Sequence, residues 1–143
     1  MILAIVGSDS TVVDVVLSDL HRIGGSRVQT LNLEYLTDIK ARTNRLELEV
    51  SSKGFKGSIK VILGIKTNDE LNLLRQRGAL VAHVYGAMGD LYRHLNVIKS
   101  DFFVSPSHAR RQSHVFSPEQ LISEGEFRLL KKINSPVQLV KGR

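Results

Sequence analysis

The strongest candidate for local chemistry is Ser105-Pro106-Ser107-His108-Ala109-Arg110-Arg111-Gln112-Ser113-His114. Paired guanidinium groups flanked by imidazoles and hydroxyls suit contact with phosphate oxygens. That chemistry is recognition of a polyanion, with no bond made or broken. Lys99, with Arg93 upstream, and Lys131 and Lys132 extend the basic set. Nucleic-acid sites often add aromatic stacking, and Tyr92, Phe102, Phe103 and Phe116 lie nearby in sequence. The apolar setting of Phe102 and Phe103 assigns them to a core instead. The competing expectation for the stretch is a solvated surface loop. Lys53, Lys56 and Lys60, around Gly54 and Gly57, form a second phosphate-contact candidate, with a solvated turn as its alternative.

Other reactive residue types form weaker patterns. Ser8, Ser10 and Thr11 follow Gly7 at the start of an apolar-periodic segment, where hydroxyls either cap a helix or meet an anion at its N-terminus. His83 sits in an apolar run and reads as a satisfied core histidine. His94, His108 and His114 have no metal-ligand spacing, although three histidines gathered by folding can hold zinc. There is no Gly-x-Ser-x-Gly elbow, no paired-carboxylate motif and no cysteine. A thiolate nucleophile, a disulfide framework and a cysteine-ligated metal are therefore excluded, and no cofactor is expected.

The 143 residues have the length of one domain, large enough to bury roughly two thirds of the unfolded surface. Twenty Lys and Arg against 14 Asp and Glu give a formal charge of +6. It is unevenly spread: residues 1–50 sum to −2 and residues 51–143 to +8. A polyanion site is thus expected on the second part, as nucleic acid would require. No apolar run reaches the roughly 20 residues that span a bilayer, and the opening Met1-Ile2-Leu3-Ala4-Ile5-Val6 lacks a basic leader. The expectation is a mature, cytoplasmic protein with no membrane partner.

These residues must be held by elements that the spacing predicts. Residues 2–6 read as a buried parallel strand. Asp9 or Ser10 caps a helix carrying Val12, Val13, Val16, Leu17 and Leu20, stopped at Gly24-Gly25. Residues 28–33 read as a strand, and residues 35–43 as a short helix or loop. The alternation of Leu46, Leu48 and Val50 with Glu47 and Glu49 predicts a half-exposed strand over 45–51. A buried strand follows over 59–65. A helix capped by Thr67 or Asn68 runs to Arg77, and a third apolar strand covers 79–85. Residues 90–97 read as a short helix, 101–104 as a short strand and 105–117 as a surface loop. Pro118 begins a helix behind Ser117, with Gln120 completing an imperfect capping box. Phe127, Leu129, Leu130 and Ile133 continue it as an amphipathic segment, and residues 137–140 read as a terminal strand or tethered end. Alternating strands and helices predict a three-layer α/β domain with a mainly parallel sheet.

Two stretches resemble the phage deoxynucleoside monophosphate kinases of the P-loop kinase superfamily. The first is Ile5-Val6-Gly7-Ser8-Asp9-Ser10-Thr11-Val12-Val13-Asp14, similar to that family's strand, phosphate loop and helix. The loop is several residues shorter, and Asp9 stands where the family has lysine. The second is Gly64-Ile65-Lys66-Thr67-Asn68-Asp69-Glu70, followed by Leu74-Arg75 and Gly78-Ala79. It is similar to the family's Asp-Val-Arg-Phe-x-Asn-Glu segment, with Lys66 in place of arginine and Glu70 kept. Together they cover about 40 residues. The resemblance implies a kinase-like core whose degenerate nucleotide site comprises Gly7, Ser8, Ser10, Thr11, Lys66 and Glu70. It also implies a phage-encoded protein. A working phosphate loop needs consecutive backbone amides and a lysine, and Asp9 would repel the phosphate instead.

The expectation is therefore a non-catalytic, kinase-like binding protein with a DNA, RNA or host-protein partner. A divergent nucleotide-handling enzyme and a homo-oligomeric structural protein are the alternatives.

Overall fold

A computed structural model describes residues 1–52, 54–86, 89–110 and 112–133, with the side chains of residues 132 and 133 excepted. The expectations placed on Lys53, Arg111, the side chains of Lys132 and Ile133, and residues 137–140 lie outside the described residues.

The chain builds an α/β fold of three layers. Six strands, β1 (Ile2–Val6), β2 (Val28–Asn32), β3 (Ile59–Leu63), β4 (Leu80–Val84), β5 (Phe102–Val104) and β6 (Val115–Phe116), form one sheet in the order β2-β3-β1-β4-β5-β6. Every adjacent pair is parallel. Four helices cover it: α1 (Ser10–Gly24), α2 (Ile39–Ser51), α3 (Asn68–Gln76) and α4 (Pro118–Ile133). Parallel strands need crossovers, and helices supply the first three. The alternation within β1 divides the core: Leu3 and Ile5 pack with Val16, Leu20, Leu121 and Ile122 beneath α1 and α4. Ala4 and Val6 pack with Leu46, Leu71 and Leu74 beneath α2 and α3. This architecture is compatible with the broad Rossmann-like and P-loop NTPase-like class. No helix among the described residues is long and apolar enough to cross a membrane.

Most local expectations hold. Asp9 caps α1, and Gly25 closes it with a φ of 57° that favours glycine. Thr67 and Glu70 form a capping box at α3, and Ser117 and Gln120 form one at α4. The reading of residues 45–51 as a strand is corrected: they are the second half of α2. Its buried residues are Arg42 and Leu46, one helical turn apart, whereas Leu48 is 67% exposed. The alternation therefore follows an exposed leucine, and Asp38, whose carboxylate accepts from the Ala41 amide at 2.9 Å, starts the helix. A second correction concerns residues 105–117, whose last part forms β6 and the α4 cap instead of loop.

One buried ion pair ties the second layer together. Arg42 on α2 meets Glu70 on α3 through Nε–Oε2 at 2.9 Å and Nη2–Oε1 at 3.0 Å, with both side chains about 95% buried. The other donors of Arg42 reach the carbonyls of Leu33, Leu36 and Gly64. All five N–H groups of the guanidinium are thus matched. Glu70 also accepts from the amides of Lys66 and Thr67. Burial alone would push its carboxyl up, but Arg42 and those amides more than offset this and hold it below its ordinary value.

Glu70→Gln should lower stability at neutral pH by about 3 kcal/mol, since it leaves Arg42 buried without its counter-charge. A depressed folded pKa contributes stability that is complete above the unfolded value, about 4.3, and is lost as pH falls through the lower folded one. Urea unfolding at a series of pH values should show the gap between the two proteins narrowing in acid. A gap that stays constant would contradict this role of the carboxylate.

Candidate functional site at the carboxyl edge of the sheet

In a parallel sheet, ligands enter at the carboxyl ends of strands where successive connections leave in opposite directions. Here β1 connects outward past β3 to β2, while β3 connects past β1 to β4. A cleft of about 120 Å³ opens at this point. Gly7, Ser8 and Ser10 line one side, Lys66 and Gly64 the other, and Asn32, Glu34 and Asp14 complete its polar wall. Pockets for drug-sized ligands usually hold about 300–1,000 Å³, so the cleft itself has room for one small polar group.

Two glycines let the backbones approach there. A Cβ on Gly7 would lie 2.9 Å from Val13 and 3.0 Å from Val84. Gly64 has a φ of 76°, and a Cβ on it would meet the Glu34 amide at 2.6 Å. The close approach brings the Asn32–Glu34 turn, ordered by the Asn32 side chain accepting from the Glu34 amide, against the β3–α3 turn.

The anion position at the start of α1 is filled from within. Asp9 accepts from the Thr11 amide at 3.0 Å and the Val12 amide at 3.4 Å. These are the donors that a helix N-terminus offers to a phosphate. Ser8, Ser10 and Thr11 are exposed. Of the expected nucleotide-site residues, Gly7, Ser8, Ser10 and Lys66 meet around the cleft, whereas Glu70 is taken up by Arg42. Sequence reasoning did not single out Arg42. Its signal is a charged residue four positions before Leu46 on the buried stripe of α2.

The basic candidates divide between two edges. Ser107 anchors the 105–114 loop: its amide donates to Asp19 on α1 at 2.9 Å and its hydroxyl to Glu119 on α4 at 2.5 Å. This holds exposed His108 and Arg110 at the carboxyl edge, with exposed His114 leading into β6. Lys99 instead precedes β5, at the opposite edge. Lys131 also lies toward that edge, because Gly125 of α4 already approaches Met1 and Leu80 at the strand starts. The second lysine loop is likewise split: Lys60 is buried and donates to the carbonyls of Glu49 and Ser52 at the end of α2, while Lys56 is exposed.

His83 is a satisfied core histidine. Its Nδ1 lies 2.8 Å from the Tyr92 hydroxyl and its Nε2 2.8 Å from Asp101 Oδ2. Arg75 grips the same carboxylate at 2.6 and 3.1 Å. Burial would raise the Asp101 carboxyl, but Arg75, His83 and the Ile98 amide hold it below its ordinary value. Burial and the Asp101 charge push the Tyr92 phenol above its ordinary value. The network fastens the segment between β4 and β5 to α3. Among the described residues, no three metal-ligating side chains gather, so His94, His108 and His114 do not form a cluster there.

No protein-family model, curated protein or solved structure matches the chain.

Asp9→Ala should cost about 1 kcal/mol through loss of the cap. It also uncovers the α1 amides, so thermal unfolding at constant ionic strength should show phosphate stabilising the variant more than the parent protein. Equal responses would show that the Asp9 carboxylate does not compete for the anion position.

Proposed function

We propose that this chain is a non-catalytic binding protein on a P-loop-kinase-like core, and that its partner is nucleic acid met at the carboxyl edge of the sheet. The observation that carries the non-catalytic reading is the Asp9 carboxylate on the Thr11 and Val12 amides. It places a negative charge where phosphoryl transfer needs a cradle and a cation. Glu70, the acidic residue kept from the kinase-like pattern, is matched on both oxygens by Arg42 and loop amides. The edge retains a scaffold for presenting loops, and the net positive second part of the chain supplies the loop with Arg110, His108 and His114. Phage origin and a role in nucleic-acid metabolism follow from the kinase resemblance.

Fluorescence anisotropy with labelled oligonucleotides tests the reading. Affinity should fall steeply between about 50 and 200 mM salt, as counterions return to the phosphates. Arg110→Ala should weaken binding and reduce the salt slope by about one. Salt-independent binding, or none, would overturn the nucleic-acid partner. A stoichiometric host protein recovered in a nuclease-resistant complex would replace it. With ATP and nucleoside monophosphates no turnover is expected, and turnover by the purified parent protein would restore the enzyme reading.

A further inference from the structure

The edge that carries the basic loop also carries a cluster of three aromatic rings. Tyr85 follows β4, Phe103 lies in β5 and His114 precedes β6. The rings of Tyr85 and His114 are 5.5 Å apart at 78°. Phe103 stands 6.1 Å from each, at 87° and 81°. Each pair is therefore edge to face. The Tyr85 amide donates to the Val104 carbonyl at 2.8 Å, which continues the sheet ladder and fixes where the phenol ring stands.

Phe103 pairs in register with His83 and Val115, so it projects from the α3 side of the sheet. Phe102, Val104 and Phe116 project from the other side and pack beneath α4. No residue of β5 or β6 belongs to the core under α2 and α3. The cluster thus lies on a part of the sheet that those helices do not cover. Tyr85 is 42% exposed, His114 is exposed and Phe103 is partly buried beneath them. Arg110 stands in the same loop as His114, and no ion pair engages it among the described residues.

We propose that Tyr85 and His114, backed by Phe103, form a stacking platform for an unpaired nucleobase, and that the partner is single-stranded nucleic acid. This rests on the nucleic-acid reading above and specifies its form. An exposed ring face accepts a base that is splayed out of a helix. A flanking cation tracks the phosphates while the rings hold the bases, which is how strands are bound with little sequence preference. A duplex hides those base faces and would use Arg110 alone.

The test compares a labelled single strand and its duplex on the full chain, using Tyr85→Leu, Tyr85→Phe and Arg110→Ala. The single strand should bind more tightly than the duplex. Tyr85→Leu should weaken single-strand binding about ten-fold, the loss of one stacked base. It should leave the salt slope and duplex binding unchanged. Tyr85→Phe, which keeps a ring, should retain affinity. The chain has three tyrosines and no tryptophan, so stacking should also quench its intrinsic emission, with less quenching in Tyr85→Leu. If Arg110→Ala weakens binding but Tyr85→Leu does not, the platform is wrong and the nucleic-acid reading stands. Equal affinity for strand and duplex would likewise overturn the platform and leave nucleic-acid binding in place. If neither oligonucleotide binds, both fall together. Thermal unfolding of each variant separates loss of binding from loss of fold.

Discussion

The buried pairing of Arg42 with Glu70 is the constraint on which the carboxyl edge depends. It crosses from α2 to α3, and its remaining donors hold the Leu33, Leu36 and Gly64 carbonyls. Those carbonyls belong to the turns that follow β2 and β3. One guanidinium therefore sets the relative position of both turns, and with them Asn32, Glu34 and Lys66 at the cleft. Isolated ion pairs in the interior rarely add stability over apolar packing, because desolvation opposes the attraction. This pair escapes much of that cost: every guanidinium donor has an acceptor, and the carboxylate is shared with two loop amides. Its contribution is geometric, since irregular backbone at the end of a sheet has few other partners.

The same economy recurs at both edges of the sheet. Asp9 satisfies amides that would otherwise attract an anion, and Lys60 satisfies carbonyls at the end of α2. Asp101 gathers Arg75, His83 and the Ile98 amide. Among the described residues, no buried side-chain polar atom lacks a hydrogen-bond partner. Charges at Asp9, Lys60 and Glu70 that suggest chemistry in the sequence are instead spent on helix ends and turns. Arg110 and His108 stay exposed at the carboxyl edge on the loop that Ser107 anchors, and Lys66 stays exposed at the cleft.

Much of the fold was legible in the sequence. The apolar runs of β1, β3 and β4, the glycine stop of α1 and the helix caps at Thr67 and Ser117 all carry local signals, and local preference agrees with the final structure there. The second half of α2 was not legible as helix. Leu48 is exposed, and its accidental alternation with Glu47 and Glu49 outweighed the weaker helical spacing of Arg42 and Leu46. β6 escaped because two residues are too few for periodicity to register. At the site, the turn at Gly7 and the loop at Arg110 were both visible. What hid the rest is that partners lie far apart in sequence: Arg42 and Glu70 are 28 positions apart, and Tyr85 and His114 flank different strands. Single-residue reasoning therefore found the basic groups and His114, assigned Phe103 to the core and did not single out Tyr85.

The brevity of β6 also limits how another molecule can join the sheet. An exposed edge strand offers a row of unpaired amides and carbonyls that can template a further strand, and very short edge strands are one way in which proteins suppress that addition. With only Val115 and Phe116 in regular pairing, the rim beside β5 has little backbone to lend. Whatever approaches from this side is met by side chains rather than by main-chain pairing. Selectivity at that boundary then lies in ring faces and charges, and main-chain augmentation is left to the longer β2 at the far side of the sheet.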